Sequence, residues 1–152
     1  MARLEMEVET SLPPERVRAA LLDFSDRRPD IWPGLTRSLY KAHSVGETTA
    51  DIQEGTKTPF GKVWATERYD WSDPNTVRWT VQESNFSTVG SYVAATLEPR
   101  GDGGTRVHIE WSRSGTTLLG KFLVRLIVMS KGKPIVSSVQ KAFKKMEAEP
   151  AS

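Results

Sequence analysis

An apolar stripe at helical spacing closes this chain. Leu118, Leu119, Phe122, Leu123, Leu126 and Ile127 recur every three to four residues, and after Gly132 and Pro134 the stripe resumes with Ile135, Val139, Ala142, Phe143 and Met146. A helix face that wide has to be buried against another layer. The text before it reads almost entirely as strand, so the chain is constrained to an α+β arrangement in which a sheet holds a long terminal helix. Pro134 lacks an amide donor and its ring clashes with the preceding helical turn, at a cost of ~3 kcal/mol. The helix is therefore expected to kink or begin anew at Gly132-Lys133-Pro134.

At the other end, Leu4, Met6 and Val8 alternate with Arg3, Glu5, Glu7 and Glu9, the period of a strand with one face in water. Ser11-Leu12-Pro13-Pro14-Glu15 then offers a helix start, with a capping hydroxyl at Ser11 and proline in the first turn. Val17, Leu21 and Phe24 form the stripe of a short helix, and a second short helix is expected over Asp26–Ile31, stopped by Trp32-Pro33-Gly34. From Leu35 the chain is strands and turns, beginning with a hairpin of Leu39–Ser44 and Glu47–Glu54 about Val45-Gly46.

Two later hairpins fix their own registers. Pairing Trp71 with Val77 across Ser72-Asp73-Pro74-Asn75 sets Tyr69 opposite Trp79 on an apolar side and Asp70 opposite Arg78 on the other. Setting Leu97 opposite Val107 aligns Val93 with Trp111 and Ala95 with Ile109 inside, and Glu98 with Arg106 outside. Burial and charge agree in both. The expected fold is a curved antiparallel sheet of seven strands with Trp71, Trp79 and Trp111 on its concave face, two short helices after the first strand, and a long C-terminal helix.

At 152 residues the chain is long enough for one domain with a sizeable core. Residues 1–148 are read as that domain and 149–152 as a flexible tail, with the loosening beginning at about Glu147. No cysteine is present, which removes disulfides and thiolate chemistry. The net charge of +2 is spread through most of the chain and argues against nucleic acid as a partner. Leu118–Met129, interrupted by Lys121 and Arg125, falls short of the ~20 apolar residues a membrane span requires. The opening residues carry no apolar core of signal-peptide length, so the expected location is the cytoplasm.

The order strand, two short helices, six strands, long helix resembles the START-like, birch-pollen-allergen-like superfamily (SRPBCC), including its polyketide cyclase/dehydrase and lipid transport group. The residues that carry the resemblance are Val8-Glu9-Thr10-Ser11-Leu12-Pro13-Pro14-Glu15-Arg16-Val17, Asp23-Phe24, Trp32-Pro33-Gly34, Trp71-Ser72-Asp73-Pro74 and Gly104-Thr105-Arg106-Val107. The resemblance implies a helix-grip fold. For function it implies a range, from lipid and steroid carriers and hormone receptors to polyketide aromatases and cyclases, with no catalytic motif common to all.

The concave face is the functional candidate. Trp71, Trp79, Trp111 and Tyr69, with Val93, Ala95, Phe122, Leu126 and Trp32, are the expected lining for an apolar ligand; the competing reading is that these rings are simply core. The small residues Ala65, Ser91 and Ala95 leave room among them, and entry is expected near Trp32. Glu67 shares the inward face with Tyr69 and Trp71, opposite Val81. A carboxyl buried there has a raised pKa and can act as acid, base or hydrogen-bond anchor, with Arg113 as its counter-ion; alternatively both heads reach water at the strand ends. His43 shares a face with Leu39 and Ile52 and can look inward, whereas His108 falls on the outer face.

No zinc-spaced histidine pair, phosphate loop or nucleophile elbow occurs, so neither metal nor cofactor is expected. Catalytic candidates are Glu67, His43, Tyr69 and Arg113. The leading expectation is a carrier or sensor of a hydrophobic small molecule. An aromatase/cyclase-type enzyme using the cavity's acid and base groups is the alternative, and an interaction module with a filled interior is a third. Lys131, Lys133, Lys141, Lys144 and Lys145 collect on the terminal helix. They read as the solvated back of a buried helix, with at most transient membrane contact.

Overall fold

The computed structural model describes residues 1–149. Among them the chain forms β1 (Ala2–Thr10), α1 (Pro14–Leu21), α2 (Arg28–Ile31), β2 (Lys41–Val45), β3 (Thr49–Thr58), β4 (Gly61–Asp70), β5 (Thr76–Ser84), β6 (Tyr92–Pro99), β7 (Thr105–Arg113), α3 (Leu118–Met129) and α4 (Lys133–Glu147), with one 3-10 turn at Arg37–Leu39. The seven strands make one sheet in the order β1-β7-β6-β5-β4-β3-β2, antiparallel throughout. β1 and β2 are therefore opposite edges, and the segment carrying α1 and α2 must cross the sheet between them. That crossing closes one end of the concave face.

Both hairpin registers hold. Tyr69 faces Trp79, Asp70 faces Arg78 and Glu67 faces Val81, while Leu97, Ala95 and Val93 face Val107, Ile109 and Trp111, and Glu98 faces Arg106. The opposed charges are cross-strand neighbours, as expected, yet their side chains turn to other partners. Asp70 turns to accept from Ser72, Arg78 lies 3.8 Å over the Tyr92 ring, and Arg106 pairs with Glu9 at 3.2 Å.

Three local expectations are corrected. Ser11 does not cap α1, whose cap position is Pro13. Instead the Thr10 hydroxyl accepts from Leu12 N at 3.2 Å and donates to Glu147 at 2.7 Å, and Ser11 N donates to the same carboxylate at 3.3 Å. Glu147 is consequently tied down at the end of α4 rather than loose; of the expected tail, 150–152 lie outside the described residues. Finally, β2 is exposed along its whole length and its register slips between Ala42 and Ser44, so His43 points to solvent.

The terminal stripe divides into two helices, as the Gly132-Lys133-Pro134 text predicts, but by a different device. Lys131 adopts φ 56° and Gly132 φ 77°. Gly132 N donates to Ile127 O at 2.9 Å and Lys131 N to Val128 O at 3.1 Å, the paired bonds of a Schellman ending. Pro134 then sits in the first turn of α4, where no amide donor is needed. A side chain at 132 would meet only the flexible end of Met6, which can give way, so it is the left-handed backbone that favours glycine there. After the break α4 lays Ala142, Phe143 and Met146 into the core, whereas α3 leaves Leu118, Phe122, Leu126, Val128 and Met129 exposed.

Candidate functional site

The space between the concave sheet and α4 is a cavity of about 290 Å³. Its floor is Tyr69, Trp79, Val93, Ala95, Val107 and Ile109, its roof Ile135, Ser138, Val139 and Phe143 of α4, and its rim Trp32, Gly34, Leu35 and Thr56. Strand alternation sets Glu67 and Tyr69 on the buried half of β4, in line with Val63 and Ala65, which lie outside the lining. Trp32 is held by a bond from its Nε1 to Ala20 O at 3.3 Å and meets Phe143 edge-on at 6.3 Å. The volume lies near the low end of the ~300–1,000 Å³ usual for small-molecule sites, and the walls are mostly apolar.

Two polar groups interrupt that lining. The first is Arg28, 3% exposed, from the four-residue α2. Its Nη1 donates to Leu21 O at 2.9 Å and Asp23 O at 3.1 Å, its Nε to Glu54 Oε2 at 3.1 Å, and its Nη2 to the Tyr69 hydroxyl at 3.0 Å. The Tyr69 hydroxyl in turn donates to Glu54 Oε1. Phe24 packs edge-on against Tyr69 at 5.0 Å, and Trp79 stacks on its other side at 5.2 Å. Burial, followed by the Glu54 charge, pushes the Tyr69 phenol well above its ordinary range, so it stays protonated as a donor. This cluster is satisfied and closed: it fixes α2 to the sheet and shapes the wall.

Glu67 is the second group, and it is not satisfied. It is 6% exposed, and its Oε2 finds no hydrogen-bond partner among the described residues. The nearest cation, Arg113 Nη2, stands 3.9 Å away, because Arg113 donates to Ser87 Oγ at 3.0 Å and lies over the Phe86 ring. Burial pushes the Glu67 carboxyl up to about 7; Arg113 and Arg28 oppose that rise and the Glu54 charge adds to it. The ladder between β4 and β5 slips beside it, with Thr66 facing Glu83 but Glu67 facing Val81. The extra residue is Gln82 on β5, so the alternation of β4, and with it the inward facing of Glu67, is unbroken. Near neutral pH the group can donate a hydrogen bond as an acid or accept one as a carboxylate.

Of the residues expected at the site, Glu67, Tyr69, Trp79, Val93, Ala95 and Trp32 line the cavity. Four do not. Trp111 is buried core on the same inward half of β7 as Val107 and Ile109 but outside the cavity lining, Trp71 packs on Phe24 at 5.8 Å, and Phe122 and Leu126 are on α3, each 44% exposed. The reason for the last two is the left-handed break, after which α3 faces the core and edge strand β1 through Val124 and Ile127 and leaves Phe122 and Leu126 outside the cavity. Arg113 stands behind Glu67 rather than on the wall, and His43 is in solvent. His108 lies on the outer face between Glu5 and Glu7, at 3.6 and 3.7 Å. Ser91 is wholly buried but off the cavity wall. Arg28 and Glu54 were not foreseen: Glu54 shares its parity with Ala50 and Ile52 and was legible on that ground, whereas nothing periodic marks Arg28.

The sequence profile described as "Polyketide cyclase / dehydrase and lipid transport" matches residues 1–148. No curated protein matches the chain by sequence. Among solved structures, a protein from Thermus thermophilus is similar at 20% identity and a TM-score of 0.77, over 98% of this chain and 100% of its own. The Zhui aromatase/cyclase of a Streptomyces species is similar at 12% identity and a TM-score of 0.77, over 97% and 96%. A START superfamily protein from Mycobacterium smegmatis is similar at 12% identity and a TM-score of 0.69, over 91% and 97%. At such identities these likenesses concern the fold, which is the helix-grip arrangement of START-like and birch-pollen-allergen-like proteins.

Proposed function

Because this chain belongs to the polyketide cyclase/dehydrase and lipid transport family, we propose that its cavity binds a small apolar molecule, of lipid or polyketide kind, carrying one polar group that meets Glu67. The observation that carries this reading is the unpartnered Glu67 carboxyl on an otherwise apolar wall. A buried polar atom without a partner costs ~1–3 kcal/mol, and a hydroxyl, carbonyl or amine brought by a ligand recovers it. Apolar area around it then supplies affinity, while the single polar contact orients the guest. Native mass spectrometry of freshly purified protein tests this: a co-purifying apolar molecule with one polar group supports the reading, and its loss from the Ala95→Leu variant assigns it to the cavity.

A second reading has one observation in its favour. A carboxyl titrating at about 7 is poised to give and take protons near neutral pH. On that reading the cavity folds a poly-keto chain and Glu67 moves its protons, as an aromatase or cyclase requires. Glu67→Gln separates the two, since it keeps a hydrogen-bonding group but cannot exchange a proton. Retained ligand affinity with lost turnover favours the enzyme; a changed affinity with no turnover in either form favours the carrier.

A further inference from the structure

α3 rests on β1 and the core through Val124 and Ile127, and its other apolar side is uncovered. Leu118, Phe122, Leu126 and Met129 fall on one side of the helix and are 87%, 44%, 44% and 72% exposed. The strip continues onto a second element: Phe60, 66% exposed at the tip of the β3–β4 turn, meets the Phe122 ring edge-on at 5.5 Å. Contiguous exposed apolar surface built by two elements marks a contact face rather than scattered surface leucines.

The charges carried by α3, the break after it and the β3–β4 turn are of one sign. Lys121 and Arg125 on α3, Lys131 and Lys133 at the break, and Lys57 and Lys62 flanking Phe60 are all exposed. No acidic residue occurs between Glu110 and Glu147, nor between Glu54 and Glu67. A second copy seated here by twofold symmetry would set this cationic rim against itself, which disfavours self-association. An anionic, apolar-cored surface complements both properties at once. The helix cannot cross such a layer: among the described residues no helix is long and apolar enough to span a membrane.

We infer that α3 and the β3–β4 turn form a face that docks reversibly on anionic lipid bilayers, with Phe60 and the α3 stripe entering the headgroup boundary and the lysines facing lipid phosphates. The position of the face suits a protein that exchanges an apolar guest. Thr56 on the cavity rim lies on the strand that leads to Phe60, and Ile135 on its roof follows the break that ends α3.

Flotation with vesicles tests the inference. Wild-type protein is expected to float with phosphatidylcholine vesicles containing phosphatidylglycerol, and to release on raising salt, since each basic residue near an anionic surface contributes roughly five-fold to partitioning. The Phe60→Ser/Phe122→Ser pair and the Lys121→Glu/Arg125→Glu pair are each expected to reduce partitioning more than ten-fold. Their residues are exposed and off the cavity wall, so unchanged circular dichroism and unchanged binding of a fluorescent fatty acid in the cavity are expected beside that loss. Absence of wild-type flotation overturns the inference, as does equal flotation of either variant pair or of pure phosphatidylcholine. A wild-type dimer that the phenylalanine pair dissolves assigns the face to self-association instead. Flotation and its loss are read whether or not the cavity holds a ligand, so failure of this inference is distinguishable from failure of the cavity reading.

Discussion

At the scale of single residues, the interior is organised by two carboxylates in opposite situations. Glu54 is neutralised by Arg28 and bonded by Tyr69, whereas Glu67 is buried with Arg113 held off at 3.9 Å. Removing one partner of a buried pair leaves an uncompensated charge, so Arg28→Ala is expected to lose ~3–5 kcal/mol by urea unfolding, and Arg28→Met with Glu54→Met to recover much of it. Glu67 predicts a pH dependence. Its folded value of about 7 lies above its ordinary 4.5, so the folded protein holds the proton more tightly than the unfolded chain. Its stabilising contribution is therefore full below pH 4.5, falls by up to about 3 kcal/mol as pH rises to 7, and is flat above. Glu67→Gln should flatten that slope in denaturation measured from pH 4 to 8; an unchanged slope would show that Glu67 is not the titrating group. The inward facing of Glu67 was legible because strand parity is strict. Arg28 was not, because a four-residue helix offers no period from which a facing can be read.

Among the elements, the strands were the most legible and the terminal stripe the least. Each hairpin gave independent checks from burial and charge, and both registers survive in the sheet. The apolar period of 118–129 is indistinguishable from that of 133–147, and periodicity alone does not say what a stripe faces. What separates them is a backbone event at two residues, Lys131 and Gly132, both left-handed. Gly132→Ala is expected to cost ~1–2 kcal/mol from backbone conformation, since the end of Met6 can move aside. A thermal melt measures this, and an unchanged midpoint would mean that the break does not require glycine. Edge strand β2 misled for a related reason: its slip at His43 exchanges the faces that parity assigns.

For the whole molecule, an antiparallel sheet whose edge strands are joined by a crossing helical segment leaves a space that only α4 roofs, and the side chains do not fill it. Ala95 lies at the floor of that space and is flanked by Val77 and Ile109 on neighbouring strands. Replacing it with leucine is therefore expected to fill volume from below while leaving the register, and hence the fold, in place. Enlarging the wholly buried Ser91, off the wall, is expected to lower stability instead, by ~1–3 kcal/mol through overpacking. The most direct measurement is titration of wild-type protein and Ala95→Leu with a fluorescent fatty acid or polyaromatic probe, with thermal melts confirming that both are folded. Saturable wild-type binding, weakened at least ten-fold in the variant, is expected; no wild-type binding, or equal affinity in a folded variant, would show that the space above the sheet is not a ligand site.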